Sequence, residues 1–176
     1  MRLDRLTTKT RQALSDSQND ATARGNPELV PEHFMRALIG QDDGVMRPIF
    51  EKAGVDARAV DAELKKKLDA LPRVSGGAEP AINRRLRDLL TRTWKETQDL
   101  KDEYSSGEHV LLAVLAVGDE LSKLLEARGL DKKKLLAALQ QVRGSQRVTD
   151  ADPESKYEAL EKYTRDVTAA AAAGKI

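Results

Sequence analysis

The sequence contains no cysteine, so it can form neither a disulfide framework nor a thiolate metal site. Aromatic residues account for only 3% of its 176 residues, whereas the apolar fraction is 40% and consists mostly of Leu, Ala and Val. A core of such side chains suits close-packed helices better than a β-sandwich or a barrel. We therefore predict an all-α protein that is stabilised by packing.

The chain also lacks an excess of charge of either sign, because 30 Lys and Arg residues nearly balance 29 Asp and Glu residues. Basic runs occur at 65–67, 84–87 and 132–134, on predicted amphipathic helices with acidic neighbours and no interleaved aromatics. This pattern favours solvated helix faces over a nucleic-acid groove. We expect no nucleic acid among the partners.

Long apolar runs are missing as well. The longest, Val110–Val117, is far below the roughly 18 residues needed to span a bilayer. The opening MRLDRLTTKT contains no apolar signal segment. We expect a cytoplasmic protein that does not bind a membrane.

What the chain does contain is a duplication, first visible in its two histidines. His33 and His109 each follow a glutamate and precede an apolar run. The offset of 76 residues that aligns them aligns further residues, and after one deletion an offset of 75 continues the alignment. The other identical pairs are Leu14/Leu90, Glu32/Glu108, Ala37/Ala113, Glu51/Glu126, Gly54/Gly129, Asp56/Asp131, Ala62/Ala137 and Leu64/Leu139. So many ordered identities indicate two copies of one unit.

Each copy carries start and stop signals for four helices. Three of the four starts in each copy are marked by polar N-caps or a first-turn proline: Thr7, Pro31 and Asp56 in the first copy, and Asn83, Ser106 and Asp131 in the second. Apolar residues that we expect to face inward follow each start, including Leu86, Leu90 and Trp94. We predict a pseudo-twofold bundle of two four-helix repeats.

The predicted domain spans residues 1–144, with repeat one at about 1–71 and repeat two at about 82–144. Pro and Gly in residues 72–81 predict a flexible connection between the repeats. Residues 145–156 are polar and aperiodic, which predicts a flexible linker. Residues 157–176 form a helix candidate.

The two Glu-His pairs could suggest a metal site or an enzyme. Each histidine, however, is the only one of its repeat and lacks a second ligand at helical spacing, which favours a structural role in the first helical turn. An enzyme that used both pairs would need both histidines in one cleft. Gly174-Lys175-Ile176 does not complete the phosphate-binding pattern G-x-x-x-x-G-K-[ST]. We expect no catalytic residue, no metal, no cofactor and no ATP hydrolysis in this chain.

Asp102, Glu103 and Glu108 place several carboxylates near one interhelix loop. They could bind a cation, line an acid–base site or meet a partner's polar groups, but a solvated loop is the favoured interpretation because no paired nucleophile accompanies them.

The second helices carry more apolar residues than one core stripe requires, namely Met35, Leu111, Leu112 and Leu115. Such a surplus indicates either burial between the repeats or an exposed binding groove, and the sequence leaves both alternatives open.

These features together resemble a known family. The opening R-L-T, the tandem E-H motif before an apolar run and the Gly-x-Asp break before each last helix are similar to the Clp N-domain, the double repeat at the front of Clp-type AAA+ proteins. MRLDRLT is most similar to the ClpB type, a protein disaggregase. YEALEKYTRDVTAAAAAGKI resembles the segment that enters the first ATPase module, and it stops before a Walker motif.

The resemblance implies a module that recruits unfolded or aggregated polypeptide and delivers it to the central pore of a hexamer. It also implies ATP and magnesium in the full-length protein, a homohexamer and cooperation with an Hsp70-type chaperone. An adaptor-docking or regulatory domain of a protease-linked unfoldase is the alternative.

The family's substrate-handling residues match Thr7, Asp102 and Glu108 here. Two departures accompany the match. Val30 replaces the usual hydroxyl cap, which we expect to weaken the start of its helix by ~1 kcal/mol. Gly107 is expected to loosen the turn beside Glu108.

Overall fold

The computed structural model describes residues 1–153, so the end of the predicted linker and the helix candidate at 157–176 lie outside the described residues. Within this range the chain forms eight α-helices and two short strands. The helices are α1 Thr8–Arg24, α2 Pro31–Ile39, α3 Met46–Ala53, α4 Ala57–Asp69, α5 Arg84–Asp99, α6 Gly107–Val117, α7 Glu120–Ala127 and α8 Lys132–Arg143; the strands are β1 Glu28–Leu29 and β2 Ala81–Ile82. The all-α prediction is confirmed, and no helix in the described part is long and apolar enough to cross a bilayer.

Most helix starts and ends follow from local sequence. The side chains of Thr7, Asp56, Asn83 and Asp131 accept hydrogen bonds from first-turn N–H groups, as predicted from their types. Helix α1 ends at Gly25, whose φ of 71° is the left-handed conformation that glycine adopts without steric cost. The helix order of repeat one recurs in repeat two.

The two repeats exchange short backbone pairings in a pseudo-twofold manner. Strand β2 pairs in parallel with β1, with Ile82 opposite Leu29, and the 76-residue equivalents of these residues, Leu6 and Ser105, form a parallel bridge. The Asn83 N–H donates to Leu29 O at 3.0 Å, and the Thr7 N–H donates to Ser105 O at the same distance. The first helix of each repeat therefore begins against the other repeat.

Helices α2 and α6 lie in the core. Met35, Leu111 and Leu112 are at most 4% exposed, and Leu115 is half-buried against the same cluster. Of the two alternatives for these apolar residues, burial between the repeats is therefore correct. In addition, α3 packs against α8 across the repeat boundary.

Trp94 was expected on the inward face of α5, but it is only half-buried. Thr93 takes the buried position and donates its hydroxyl to Leu89 O, whereas the Trp94 ring is covered by the Arg2 guanidinium, 5.4 Å from the ring centroid. The indole is thus a platform for a cation at the edge of the bundle.

Both segments predicted to be flexible are held by hydrogen bonds. In the connection between the repeats, the Val74 N–H donates to Gly25 O and the Ala81 N–H to Pro27 O. Beyond α8, residues 145–153 do not leave the bundle, because Val148 is fully buried and the backbone of this segment is paired. These nine residues, which we call the strap, are therefore docked on the bundle.

Candidate functional site

The three residues assigned to substrate handling lie near one another around the start of α6. The Thr7 N–H donates to Ser105 O at 3.0 Å, which ties the start of α1 to the loop that carries Asp102 and leads into Glu108. Thr7 Oγ1 accepts from the Thr10 N–H at 3.2 Å. Thr7 is fully buried, so its hydroxyl caps a helix in the interior of the protein.

Asp102 is the acceptor in a buried network. His109 Nδ1 accepts the Ser106 N–H at 2.9 Å, so the proton of the neutral ring lies on Nε2 and is donated to Asp102 Oδ2 at 2.6 Å. Arg143 Nη2 donates to Asp102 Oδ1 at 2.8 Å. Burial acts to raise the pKa of Asp102, but the hydrogen bonds from His109 and Arg143 outweigh it and lower the pKa to about 2.

Repeat one has the same arrangement without the charge. Asn26 stands at the equivalent of Asp102, and its Oδ1 lies 2.9 Å from His33 Nε2. His33 Nδ1 accepts the Val30 N–H at 3.0 Å, so the ring supplies a cap for the helix start that Val30 cannot cap with its own side chain. Burial lowers the pKa of His33, which keeps the ring neutral.

The equivalent glutamates of the two repeats differ in their partners. Arg85 donates to both oxygens of Glu32, at 3.2 and 2.9 Å. Glu108 receives one long bond at Oε2, 3.4 Å from Arg143 Nη1, and its Oε1 has no hydrogen-bond partner among the described residues. Arg85 is replaced in repeat one by Lys9, whose ammonium forms its ion pair with Asp43. Glu108 is therefore a fully buried carboxylate with one free acceptor atom.

The prediction of a solvated carboxylate loop is wrong for two of its three residues. Asp102 is 5% exposed and Glu108 is 0% exposed, because the guanidinium of Arg143 reaches both from the end of α8. Only Glu103 has an exposed side chain. The carboxylates of Asp102 and Glu108 are therefore not presented to solvent in this structure.

Gly107 does not loosen the turn beside Glu108, contrary to expectation. A Cβ at this position would lie 2.8 Å from Val45 Cγ1 and 2.9 Å from Met46 Sδ. The glycine therefore permits the start of α6 to approach the start of α3 closely.

The strap crosses this region. The Val148 N–H donates to Asp102 Oδ1 at 2.9 Å, and the Glu103 N–H donates to Val148 O at 2.7 Å. Gln146 O accepts from Arg143 Nε and Nη2 at 3.1 and 2.9 Å, and Ala151 O accepts from the Thr8 N–H at 2.8 Å. The strap thus spans the region from the end of α8 to the start of α1.

Other parts of the described chain hold weaker candidates. A surface pocket of about 770 Å³ in repeat one is lined by charged side chains that include the ion pair of Arg36 and Asp61, and it does not include Thr7, Asp102 or Glu108. Residues 1–153 contain no cluster of three or more His, Asp or Glu suited to a metal ion. His33 and His109 are each buried in the network of their own repeat, so the single cleft that an enzyme using both would need is not formed.

Sequence reasoning missed Arg85, Arg143 and Val148. The signal for Arg85 was its alignment with Lys9, since both are cations at the first turn of equivalent helices. Arg143 carried a weaker signal as the last helical residue before Gly144, and Val148 was a single apolar residue in a polar segment.

A family model described as the Clp repeat (R) N-terminal domain matches residues 5–128. The chaperone protein ClpB of Corynebacterium efficiens is 43% identical over 173 residues, which are 97% of this chain and 20% of that protein. ClpB of Rhodopirellula baltica is 37% identical over 175 residues, 99% of this chain and 20% of the relative. This chain therefore spans about one fifth of the length of these relatives.

Among solved structures, the Hsp104 N-terminal domain from Candida albicans superposes with a TM-score of 0.73 at 20% identity, covering 85% of this chain and 98% of that one. This likeness supports the fold. With the family model matching most of the described helices, the chain belongs to the Clp repeat N-terminal domain family.

Proposed function

We propose that this chain is the substrate-recruiting N-terminal domain of a ClpB-like ATP-dependent disaggregase, and that it binds unfolded or aggregated polypeptide. Its relatives at 37% and 43% identity are ClpB chaperones, and its residues 5–128 match the Clp repeat N-terminal domain. In the full-length protein, which would be a cytoplasmic AAA+ ATPase using ATP and magnesium, the bound polypeptide would pass to the pore of a homohexamer working with an Hsp70-type chaperone.

The proposed polypeptide-binding site is Thr7, Asp102 and Glu108. The observation that carries it is the free Oε1 of Glu108, because a buried acceptor without a donor costs free energy that a ligand N–H group would recover. Glu32, the equivalent residue, already has both oxygens occupied by Arg85. The duplication therefore supplies one satisfied copy and one copy with unused hydrogen-bonding capacity.

The roles of the three residues differ. Glu108 would accept a donor from the bound chain, Asp102 would orient His109 and Arg143 around it, and Thr7 would hold the start of α1 against the same loop. A single such contact is weak. Six domains around one hexamer would raise the effective concentration of substrate above the pore while each contact stays easily released.

A titration with a permanently unfolded protein, reduced and carboxymethylated α-lactalbumin, tests the proposal. We expect wild type to bind with micromolar or weaker affinity and Glu108→Gln to bind about tenfold more weakly, since the acceptor loses its charge. The matched control is Glu32→Gln, which makes the same change in the satisfied copy and should leave binding unchanged. Equal affinities for wild type and Glu108→Gln would refute the site.

Alanine substitutions at all three positions are a poorer test. Asp102→Ala would remove the acceptor of His109 Nε2 and one of the acceptors of Arg143, and loss of one partner from a buried ion pair costs about 3 kcal/mol or more. Lost binding in such a variant would not separate a contact from a folding defect, whereas the isosteric Glu108→Gln does.

The second candidate is an adaptor-docking or regulatory domain. It is favoured by one structural neighbour, a complex of a ClpV N-domain with a VipB peptide, which superposes with a TM-score of 0.56 at 20% identity over 78% of this chain and 79% of that one. Binding of a folded partner protein, with no binding of the unfolded probe, would favour this candidate over substrate recruitment.

A further inference from the structure

The strap is ordered although few of its side chains are buried. Of residues 145–153, only Val148 and Pro153 are buried. The ordering of nine residues costs conformational entropy at every position, whereas the apolar area removed from water is confined to two side chains. The docking of the strap therefore depends mainly on backbone hydrogen bonds, and its reversal exposes little apolar area.

Val148 is held in the way that a binding site holds one residue of an extended ligand. Its N–H donates to Asp102 Oδ1 at 2.9 Å, its C=O accepts from the Glu103 N–H at 2.7 Å, and its side chain is fully buried. Extended peptides are generally recognised in this way: the N–H and the C=O of a residue are both hydrogen-bonded, and its side chain is buried in a pocket. The two contacts to the Val148 backbone come from adjacent residues, through the side-chain carboxylate of Asp102 and the N–H of Glu103.

The contacts that flank Val148 extend this mode along the strap. On one side Gln146 O accepts from the Arg143 guanidinium, which also contacts Glu108. On the other side Ala151 O accepts from the Thr8 N–H, one of the first-turn donors that have no partner within their helix. The strap thus occupies backbone donors and an acceptor that adjoin Thr7, Asp102 and Glu108.

We propose that the strap is an internal ligand of the polypeptide-binding site, and that an extended segment of unfolded chain displaces it by placing an aliphatic, non-proline residue where Val148 now lies. Proline is excluded because it has no N–H to donate to Asp102. The inference rests on the proposed function and specifies how the site is occupied. Release of the strap ends the hydrogen bonds from Arg143 to Gln146 O, and Arg143 is the residue that donates to Glu108 Oε2. Substrate binding thereby also releases the strap from the bundle.

Amide hydrogen exchange of the wild-type chain tests the displacement directly. In the free chain the amides of Val148 and Glu103 are both hydrogen-bonded, so both are expected to be protected. With saturating carboxymethylated α-lactalbumin, we expect exchange at Val148 to accelerate about tenfold or more. Exchange at Glu103 should stay slow, because its N–H then binds a carbonyl of the incoming chain. Unchanged protection of Val148 in the saturated complex would overturn the proposal.

Substitution of the internal ligand provides a second test. Val148→Ala removes buried methyl groups from the strap, so competition weakens and the affinity for the unfolded probe should rise several-fold. Thr149→Ala is the matched control, because it shortens the neighbouring exposed side chain and should leave affinity unchanged. An affinity of Val148→Ala equal to or below that of wild type would contradict the proposal. Val148→Thr keeps the side-chain shape but adds a buried hydroxyl, so it should also raise the affinity for the probe. This variant keeps the test valid if the alanine variant does not fold.

Competition in trans separates this inference from the proposed function. A synthetic peptide GSQRVTDAD should compete with the probe for Val148→Ala, and the same peptide with aspartate in place of its valine should not. If the probe binds none of these chains, the proposed function fails. If it binds wild type, Val148→Ala and Thr149→Ala equally, recruitment stands and the internal-ligand inference alone fails.

Discussion

Glu32 and Glu108 occupy equivalent positions in the two repeats, yet both oxygens of Glu32 are bound by Arg85 while Glu108 keeps one oxygen without a donor. The pair acts as an internal control, since backbone position and burial are shared and the hydrogen-bonding partners differ. Differences between matched substitutions at these two positions therefore report on the partners.

We expect Glu32→Gln to lower the free energy of unfolding by about 2 kcal/mol, because it breaks a bidentate, charge-assisted pair with Arg85. Glu108→Gln should change it by less than about 1 kcal/mol, because neutralising a poorly compensated buried charge offsets the loss of one long hydrogen bond. Urea unfolding at pH 7 measures both. A larger loss in Glu108→Gln than in Glu32→Gln would contradict the assignment of the satisfied and unsatisfied copies.

Acid should destabilise the protein partly through Asp102. Its folded-state pKa of about 2 is below the ordinary value of 3.8, so the carboxylate stabilises the fold above the unfolded-state pKa, and this contribution is lost as the pH falls through about 2. A shift of this size corresponds to about 2 kcal/mol. Asp102→Asn, which reproduces the His–Asn pairing of repeat one, removes this dependence.

The measurement is the difference in unfolding free energy between wild type and Asp102→Asn from pH 7 to pH 2. The contributions of the other carboxylates to the pH dependence are the same in both proteins and cancel in that difference. We expect wild type to lose about 2 kcal/mol relative to the variant on acidification. A difference that is constant with pH would show that Asp102 does not carry the depressed pKa.

Gly107→Ala should destabilise the protein by about 1–3 kcal/mol, because its Cβ would overlap Val45 and Met46 at the close approach of α6 to α3. The control is Gly40→Ala. Gly40 has an ordinary φ of −72°, and the nearest atom to an added Cβ is 3.4 Å away, so this substitution should be neutral to within about 0.5 kcal/mol. Thermal unfolding of the two variants compares them, and equal melting temperatures would disprove the packing role.

Thr7→Ala should cost about 1 kcal/mol as a lost N-cap, whereas Thr7→Ser keeps the oxygen that accepts from the Thr10 N–H and should cost less. Unfolding free energies of the two variants measure the difference. If both variants lose the same amount, the buried methyl group rather than the cap is what Thr7 contributes.

The parts of the fold that were predicted correctly depend on interactions between residues that are close together in the sequence. An N-cap such as Asp56 bonds to N–H groups two and three residues away, so residue type and spacing are sufficient. The burial of Asp102 depends on Arg143, which lies 41 residues further along the chain. The sequence around Asp102 does not predict that partner. The same holds for the strap, where one buried valine and main-chain hydrogen bonds replace the apolar periodicity that signals a packed segment.

The crossed pairings of Leu6 with Ser105 and of Leu29 with Ile82 have a consequence for how the chain can be divided. If either half were made alone, the backbone groups before its first helix would lose their hydrogen-bond partners, because those partners belong to the other half. Two polypeptides separated at the 72–81 connection should therefore be poorly folded singly and reassemble on mixing, as complementing fragments do.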